Sequence, residues 1–225
     1  MTYRTFHFLT RAEAERILPL VQALPFQDGR ATAFGHAREV KQNLQCQRSG
    51  PEQNEADLLV TQSLSRHEEF QSFALPKRLL LFMYNRYEPG MHYGPHVDNS
   101  LMGGQSTGDR MRTDLSATIF LSSPDTYDGG ELVLDLPTGP LEIKLDAGEG
   151  IVYASGELHH VNPVTRGVRL AAVTWIQSIV RDERLRAMIF DLSRAANTTP
   201  VREDAALSNL LSKTYHNLIR YAAEP

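Results

Sequence analysis

Cysteine is almost absent from the 225-residue sequence, in which Cys46 is the only one. A single thiol excludes an internal disulfide and any zinc site built from several cysteines. Long apolar runs are missing as well. None approaches the roughly 20 residues that span a bilayer as a helix, and the N-terminal stretch lacks the apolar core of a signal peptide. These absences lead us to expect a cytoplasmic protein without a membrane partner.

Clusters of basic residues are also missing. The sequence holds 23 lysines and arginines against 27 acidic residues, which gives a net charge of −4. Because polyanion binding relies on a basic patch or stripe, nucleic acid is not an expected partner. Hydrophobic residues make up 41% and charged residues 22% of the chain. These are the proportions of an ordinary globular protein that builds its own core.

Helical patterns occupy both ends of the sequence. Thr10 and Glu13 have the spacing of a capping box, and apolar residues follow at helical intervals until Pro25. The stretch 54–73 predicts a second helix that is bent or interrupted. After Arg181 the helical period returns and, with one break at 197–200, continues to the C-terminal end.

Short strand patterns fill the middle of the sequence. Six apolar and mostly alternating runs lie at 77–87, 114–122, 130–136, 141–146, 150–155 and 169–179. Short strands separated by Gly, Pro and Asp turns are typical of an antiparallel sandwich or barrel. The predicted class is therefore α+β. Residues 1–77 would form a mixed helical support, 78–179 the β core and 180–225 a C-terminal helical segment.

The segment YGPHVDNSLM at 93–102 holds the first candidates for chemistry. Its glycine and proline exclude a helix. Residues i and i+2 of an extended chain face the same side, so His96 and Asp98 can converge on one ion. The later segment ASGELHHVNPV offers a third ligand, either His159 or His160. Two histidines and one carboxylate leave one face of an octahedral metal open, as in non-haem Fe(II) oxygenases.

Arg169 begins the last predicted strand, ten residues after His159. If it faces the interior, so do the alternate residues of that strand as far as Gln177. A buried arginine is costly unless it meets an anion, and a guanidinium can bind a carboxylate through two hydrogen bonds. A dicarboxylate cosubstrate that also chelates the metal is therefore the simplest partner for Arg169.

Together these motifs resemble the Fe(II)/2-oxoglutarate dioxygenases of the prolyl-4-hydroxylase-like superfamily. Within that superfamily they are most similar to the bacterial PKHD-type hydroxylases, a group linked to iron uptake. The resemblance covers most of the chain, including the C-terminal helices. It is carried by VKQNLQ (40–45), NRYEPGMHYGPHVDNSLM (85–102), RTDLSATIFLSSPDTYDGGELVL (112–134) and HHVNPVTRGVRLAAVTWIQSIVRD (159–182).

The resemblance implies a double-stranded β-helix (jelly-roll) core with Fe(II) bound by His96, Asp98 and a histidine. The family commonly has a single histidine where this chain has two, and the ten-residue spacing to Arg169 favours His159 over His160.

The resemblance also implies that 2-oxoglutarate is the cosubstrate. Arg169 would hold its distal carboxylate, with help from a tyrosine such as Tyr87 or Tyr93. L-ascorbate would keep the iron ferrous. The implied reaction uses O2 to hydroxylate a C–H bond of a small-molecule or peptidyl substrate, with release of succinate and CO2.

Two other classes of function compete with an oxygenase. A non-catalytic, cupin-like jelly-roll that senses a metal or small acid would usually carry more histidines on its strands, and none lies between Asp98 and His159. A structural β-domain with helical arms would leave a buried Arg169 without an anion. The sequence leaves open whether the C-terminal helices pack on the core or join a second copy in a homo-oligomer.

Overall fold

The computed structural model describes residues 3–46, 50–103 and 110–224. The helices are α1 (Arg11–Gln22), α2 (Gly35–Glu39), α3 (Gly50–Arg66), α4 (Glu68–Ala74), α5 (Glu183–Ala196), α6 (Thr199–Glu203) and α7 (Ala205–Ala222). The strands are β1 (Tyr3–His7), β2 (Phe26–Asp28), β3 (Lys41–Gln42), β4 (Leu44–Cys46), β5 (Pro76–Leu79), β6 (Met83–Tyr87), β7 (His92–His96), β8 (Leu101–Gly103), β9 (Arg110–Arg112), β10 (Leu115–Phe120), β11 (Tyr127–Gly129), β12 (Leu132–Leu136), β13 (Gly139–Ile143), β14 (Glu149–Ala154), β15 (His159–Val161), β16 (Val164–Gly167) and β17 (Arg169–Ser178).

The larger sheet supports one side of the molecule. Its strands run in the order β1-β14-β10-β17-β6-β4-β2, with β5 pairing beside them on β17, and the pairs are antiparallel. One face of this sheet is covered by the N-terminal helices. Ile17 of α1, Val60 of α3 and Phe70 of α4 pack there in one cluster with Leu115 and Ile119 of β10.

The smaller sheet has the order β13-β12-β15-β7-β3 and faces the opposite side of the larger one. Leu132 and Leu134 of β12 pack in a second cluster with Phe120 of β10 and Ile151 of β14. Because successive strand residues point to opposite faces, Ile119 packs against the helices and Phe120 packs against the smaller sheet. Strand β10 is consequently buried on both faces.

The predictions for class and for the N-terminal helices are confirmed. The fold is α+β with antiparallel sheets, and Thr10 and Glu13 form the complete capping box of α1. The predicted interruption of the second helix falls at His67, between α3 and α4. The His67 ring accepts a hydrogen bond from the backbone N–H of Phe70 and so caps the new helix.

The predicted number of strands is wrong. Within the predicted β core the described residues contain thirteen strands, β5 to β17, rather than six, and the single strand predicted at 77–87 is two strands, β5 and β6. Strands β1, β2 and β4 extend the larger sheet, and β3 extends the smaller one. Several of the missed strands have two or three residues, which is too short for an alternating pattern to show in the sequence.

The C-terminal helices pack on one another and on the end of the core. Ile189 of α5 lies in a cluster with Leu218 and Ile219 of α7. Arg112 of β9 links the two regions, because its side chain donates to Asp114 at 2.6 Å and to Glu224 at 2.9 Å. Among the described residues, no helix is both long enough and apolar enough to cross a membrane.

Candidate active site

A cavity between the two sheets collects the residues that the sequence singled out. It is open to solvent at one end, and polar and apolar side chains share its lining, as is usual for a small-molecule site. Its walls come from both sheets and from the segment that precedes β3. The predicted site residues that line it are Tyr87, Tyr93, His96, Asp98, His159 and Arg169.

His96, Asp98 and His159 lie together at one place in this cavity. Their potential ligand atoms are within 4.8 Å of one another, and Nε2 of His159 lies 3.9 Å from Oδ2 of Asp98. His96 and His159 are direct cross-strand partners on β7 and β15, with ring centroids 4.3 Å apart. His160 is paired with Val133 and does not line the cavity.

An irregularity in β7 sets the inner face of this strand. Val161 pairs with Tyr93 and His159 with His96, so β7 has one residue more than β15 between the two pairs. This extra residue is a β-bulge, and it lets Tyr93 and His96 point the same way although they are three positions apart. Gly94 lies in the bulge, where a Cβ would come 2.8 Å from that of Val40.

Both histidines present the same nitrogen to the cluster. The Nδ1 atoms of His96 and His159 lie 2.9 Å from the backbone oxygens of Gly94 and Glu157, respectively. A carbonyl oxygen only accepts, so each Nδ1 carries the proton and each Nε2 keeps a free lone pair. Burial, followed by the proximity of the second imidazole, lowers the pKa of His96 to about 4, which keeps the His96 ring neutral and able to bind a metal.

The carboxylate of Asp98 is held by a hydroxyl pair that the sequence analysis missed. Ser116 Oγ donates to Asp98 Oδ2 at 2.6 Å and lies 2.8 Å from Ser155 Oγ. One oriented carboxylate and two imidazole lone pairs match the facial set used by non-haem Fe(II). The described residues therefore fit a divalent iron.

Arg169 points into the same cavity and lacks an anionic partner within the described part of the chain. Its side chain is 2% exposed, and its Nε has no hydrogen-bond partner. The guanidinium lies 5.2 Å from the ring centroid of Tyr87 and 5.1 Å from that of Phe120. Since a buried charge needs a counterion, this end of the cavity suits the carboxylate of a ligand.

The two predicted tyrosines lie in different places. Tyr87 is the cross-strand partner of Arg169, and burial raises the pKa of its hydroxyl, which therefore stays protonated and can donate. Tyr93 stacks on His96 with the ring centroids 3.6 Å apart. A third tyrosine, Tyr127, was not predicted. Its hydroxyl is buried, and burial raises the pKa of that hydroxyl against the opposing effect of the nearby Arg169 side chain.

A signal for the missed polar groups is present in the sequence of β10. Ser116 and Thr118 alternate with Leu115, Ala117 and Ile119, and such alternation ordinarily marks a strand with one face in water. In the structure both faces are buried, and Thr118 lines the cavity. The alternation therefore marked these polar positions, but only the structure showed that they face the interior.

Known proteins resemble this chain over nearly its full length. A PKHD-type hydroxylase of Rippkaea orientalis is 44% identical over 213 residues, which cover 94% of this chain and 95% of that protein. Another, from Caulobacter sp., is 42% identical over 220 residues and covers 96% of each. The sequence profile of the 2OG-Fe(II) oxygenase superfamily matches residues 82–177.

Solved structures show the same fold at low sequence identity. A prolyl hydroxylase from Trichoplax adhaerens, in complex with a hypoxia inducible factor peptide fragment, has a TM-score of 0.60 at 18% identity, covering 83% of this chain and 86% of that one. A Pseudomonas putida prolyl-4-hydroxylase has a TM-score of 0.55 at 18% identity, covering 79% and 92%.

The profile match covers the two cavity histidines, Asp98 and Arg169, and the full-length relatives share one family name. The chain therefore belongs to the PKHD-type hydroxylases of the 2OG-Fe(II) oxygenase superfamily and is a 2-oxoglutarate-dependent dioxygenase.

Proposed function

We propose that His96, Asp98 and His159 bind the Fe(II) of this dioxygenase and that Arg169 binds the distal carboxylate of 2-oxoglutarate. The observation that carries the proposal is a buried arginine without a counterion in the same cavity as three converging metal-binding groups. A dicarboxylate can satisfy both at once, because one end chelates the metal while the other neutralises the guanidinium.

In this proposal the two facing sheets form a double-stranded β-helix, or jelly-roll. Residues 78–179 are the catalytic core, while 1–77 and 180–225 support it. The cluster that combines Phe120 and Ile151 of the larger sheet with Leu132 and Leu134 of the smaller one supports this arrangement, as does the shared fold with prolyl hydroxylases.

Fe(II), 2-oxoglutarate and O2 supply the oxidising chemistry, which hydroxylates a substrate C–H bond and releases succinate and CO2. The chain supplies geometry. Ser116 holds the Asp98 carboxylate in one orientation, and the backbone oxygens of Gly94 and Glu157 hold each imidazole with its Nε2 free. Such hydrogen bonds to metal ligands typically change metal affinity or activity by about 10–100-fold.

The two tyrosines have separate parts in this scheme. Tyr87 lies against Arg169 and can donate its hydroxyl to the same carboxylate. Tyr93 stacks on His96 and restrains the plane of that ring. Apolar side chains on the inner faces of the sheets exclude water around the two tyrosines, which strengthens the ion pair between Arg169 and the bound carboxylate.

The remaining parts of the proposal concern the reductant, the cellular compartment, the substrate, the pathway and the assembly. L-ascorbate keeps the iron ferrous between turnovers, and the enzyme acts in the cytoplasm on a small-molecule or peptidyl substrate. The reaction serves iron uptake. A homo-oligomer would join through the C-terminal helices, where Leu210 and Tyr221 are exposed.

Succinate formation tests the proposed function directly. With Fe(II), 2-oxoglutarate and O2, the wild-type protein is expected to form succinate even without its primary substrate. Asp98→Ala is expected to lose this activity and the binding of Fe(II), since it removes the only carboxylate of the cluster. The matched control is Asp128→Ala, which removes a surface carboxylate paired with Arg166. Full succinate formation by Asp98→Ala would contradict the ligand assignment.

A further inference from the structure

A second buried cation lies in the cavity and is not used by the proposed mechanism. Lys41 of β3 is 3% exposed and lines the same cavity as the metal-binding groups. It is the cross-strand partner of Tyr93, and its Nζ lies 5.0 Å from the centroid of the Tyr93 ring. The same ring stacks on His96. Lys41 is therefore one side chain away from the metal centre.

The ammonium of Lys41 donates to a neutral hydroxyl and not to a carboxylate in the described structure. Its hydrogen bond is to Thr32 Oγ1 at 3.2 Å, and the Thr32 hydroxyl interacts in turn with Gln45 and with the backbone oxygen of Gly29. Within the described ranges, no carboxylate forms an ion pair with it. Burial lowers the pKa of Lys41 to about 8, against the opposing charges of Asp98 and Asp28, so the group is still mainly charged at neutral pH.

The wall around Lys41 is polar and ordered. Asn85 Oδ1 accepts hydrogen bonds from Gln45 Nε2 at 2.7 Å and from Asn43 Nδ2 at 3.4 Å. Asn43 Oδ1 and Trp175 Nε1 are buried without a hydrogen-bond partner in the described structure, and both residues line the cavity. The hydrogen bonds among these amides fix their orientations, and the unmatched oxygen and N–H can accept and donate hydrogen bonds to a ligand.

The mouth of the cavity differs from this wall in being largely apolar. Phe34 is 71% exposed and Val97 is 47% exposed, and both line the cavity together with Met102. Exposed apolar side chains around a pocket are typical of a binding rim. A ligand that matches both regions carries a charged or polar group at its inner end and an apolar portion at its outer end.

We propose that Lys41 determines substrate specificity by binding a carboxylate of the primary substrate, whose apolar portion lies against Phe34 and Val97. Lys41 retains two N–H donors after its bond to Thr32, and one ammonium balances one carboxylate. Arg169 lies at the start of β17 on the other sheet and is assigned to the cosubstrate, so Lys41 is free for a second acid. This inference rests on the proposed function, because both use one cavity.

The only tryptophan of the chain, Trp175, gives a direct readout because it lines this cavity. Hexanoate and hexanamide are the probes, since they share chain length and differ in charge. Each is titrated, without oxygen, into the protein loaded with Fe(II) and 2-oxoglutarate while Trp175 fluorescence is recorded. Wild-type protein is expected to prefer hexanoate by roughly ten- to hundredfold, the usual effect of one charge-assisted hydrogen bond.

The variant Lys41→Met is expected to lose this preference while it binds Fe(II) and 2-oxoglutarate as the wild type does. Lys41→Arg keeps the charge and should retain part of the preference, which separates a charge effect from a folding defect. Lys213→Met is the matched control, since it removes an exposed lysine of α7.

Two results would overturn the proposal. One is equal binding of hexanoate to wild type and to Lys41→Met. The other is weakened binding of 2-oxoglutarate by Lys41→Met, which would make Lys41 a cosubstrate residue. Failure of the proposed function would show differently, as wild-type protein that neither binds 2-oxoglutarate nor forms succinate.

Discussion

Replacement of Arg169 tests the cosubstrate site more sharply than any other change in the cavity. The guanidinium is almost fully buried, lies over two aromatic faces and has an unmatched Nε. Arg169→Leu removes the positive charge and all N–H donors of the guanidinium, and it leaves an aliphatic side chain in their place. Loss of one partner from a buried ion pair typically costs about 3–5 kcal/mol, which corresponds to roughly two to three and a half decades in affinity.

The expected loss of 2-oxoglutarate affinity is smaller than this typical value, because the cavity is open at its mouth and water can enter the site of the variant. We expect Arg169→Leu to raise the dissociation constant of 2-oxoglutarate by at least roughly tenfold. The dissociation constant of Arg169→Lys should lie between those of Arg169→Leu and the wild type, because lysine keeps the charge but cannot form two parallel hydrogen bonds. The assay is an anaerobic titration of the Fe(II)-loaded proteins with 2-oxoglutarate.

Two controls accompany this titration. The affinity for Fe(II) without cosubstrate should be unchanged in Arg169→Leu, because arginine is not a ligand. Arg166→Leu should leave the 2-oxoglutarate affinity unchanged, because Arg166 is 60% exposed and paired with Asp128. An unchanged dissociation constant in Arg169→Leu would refute the assignment. The distal carboxylate would then belong to another cation, and Lys41 is a candidate because it lines the same cavity.

Two further predictions concern the third ligand and the first helix. His159→Ala should abolish Fe(II) binding and His160→Ala should preserve most succinate formation, because adjacent strand residues point to opposite faces; the reverse result would move the ligand by one position. Glu13→Ala should lower the free energy of unfolding at pH 7 by about 0.5–2 kcal/mol, whereas Glu15→Ala, at an exposed pair, should lower it by less than about 0.5 kcal/mol. The hydrogen bond from Arg66 is the main cause that lowers the pKa of Glu13 from 4.5 to about 2. The contribution of Glu13 to stability is therefore complete above pH 4.5 and declines as the pH falls towards 2. A difference in urea midpoint between wild type and Glu13→Ala that stays constant over this pH range would contradict the argument.

Local patterns in the sequence predicted the elements whose causes are themselves local. The capping box of α1 needs only Thr10 and Glu13, and the break at His67 follows from a side chain that caps the next helix. Long alternating runs such as β10 and β17 were located correctly. Strands of two or three residues were missed, because their stability comes from partners elsewhere in the sheet and leaves no periodicity behind.

The sequence also determined which residue types are brought to the site. The i, i+2 spacing of His96 and Asp98, a later histidine and Arg169 were sufficient to predict a metal and an acid ligand. Near-full-length similarity to PKHD-type hydroxylases supports the same chemistry.

Only the tertiary structure decided which faces and neighbours these residues have. It separated the two tyrosines, with Tyr87 beside Arg169 and Tyr93 against His96, because a bulge in β7 turns both Tyr93 and His96 inward. It also turned the polar face of β10 into the interior of the cavity, and it placed Lys41, from a two-residue strand, over the Tyr93 ring that stacks on His96. Alternation in a sequence shows that a strand has two faces, but whether the polar face meets water or another sheet depends on non-local packing.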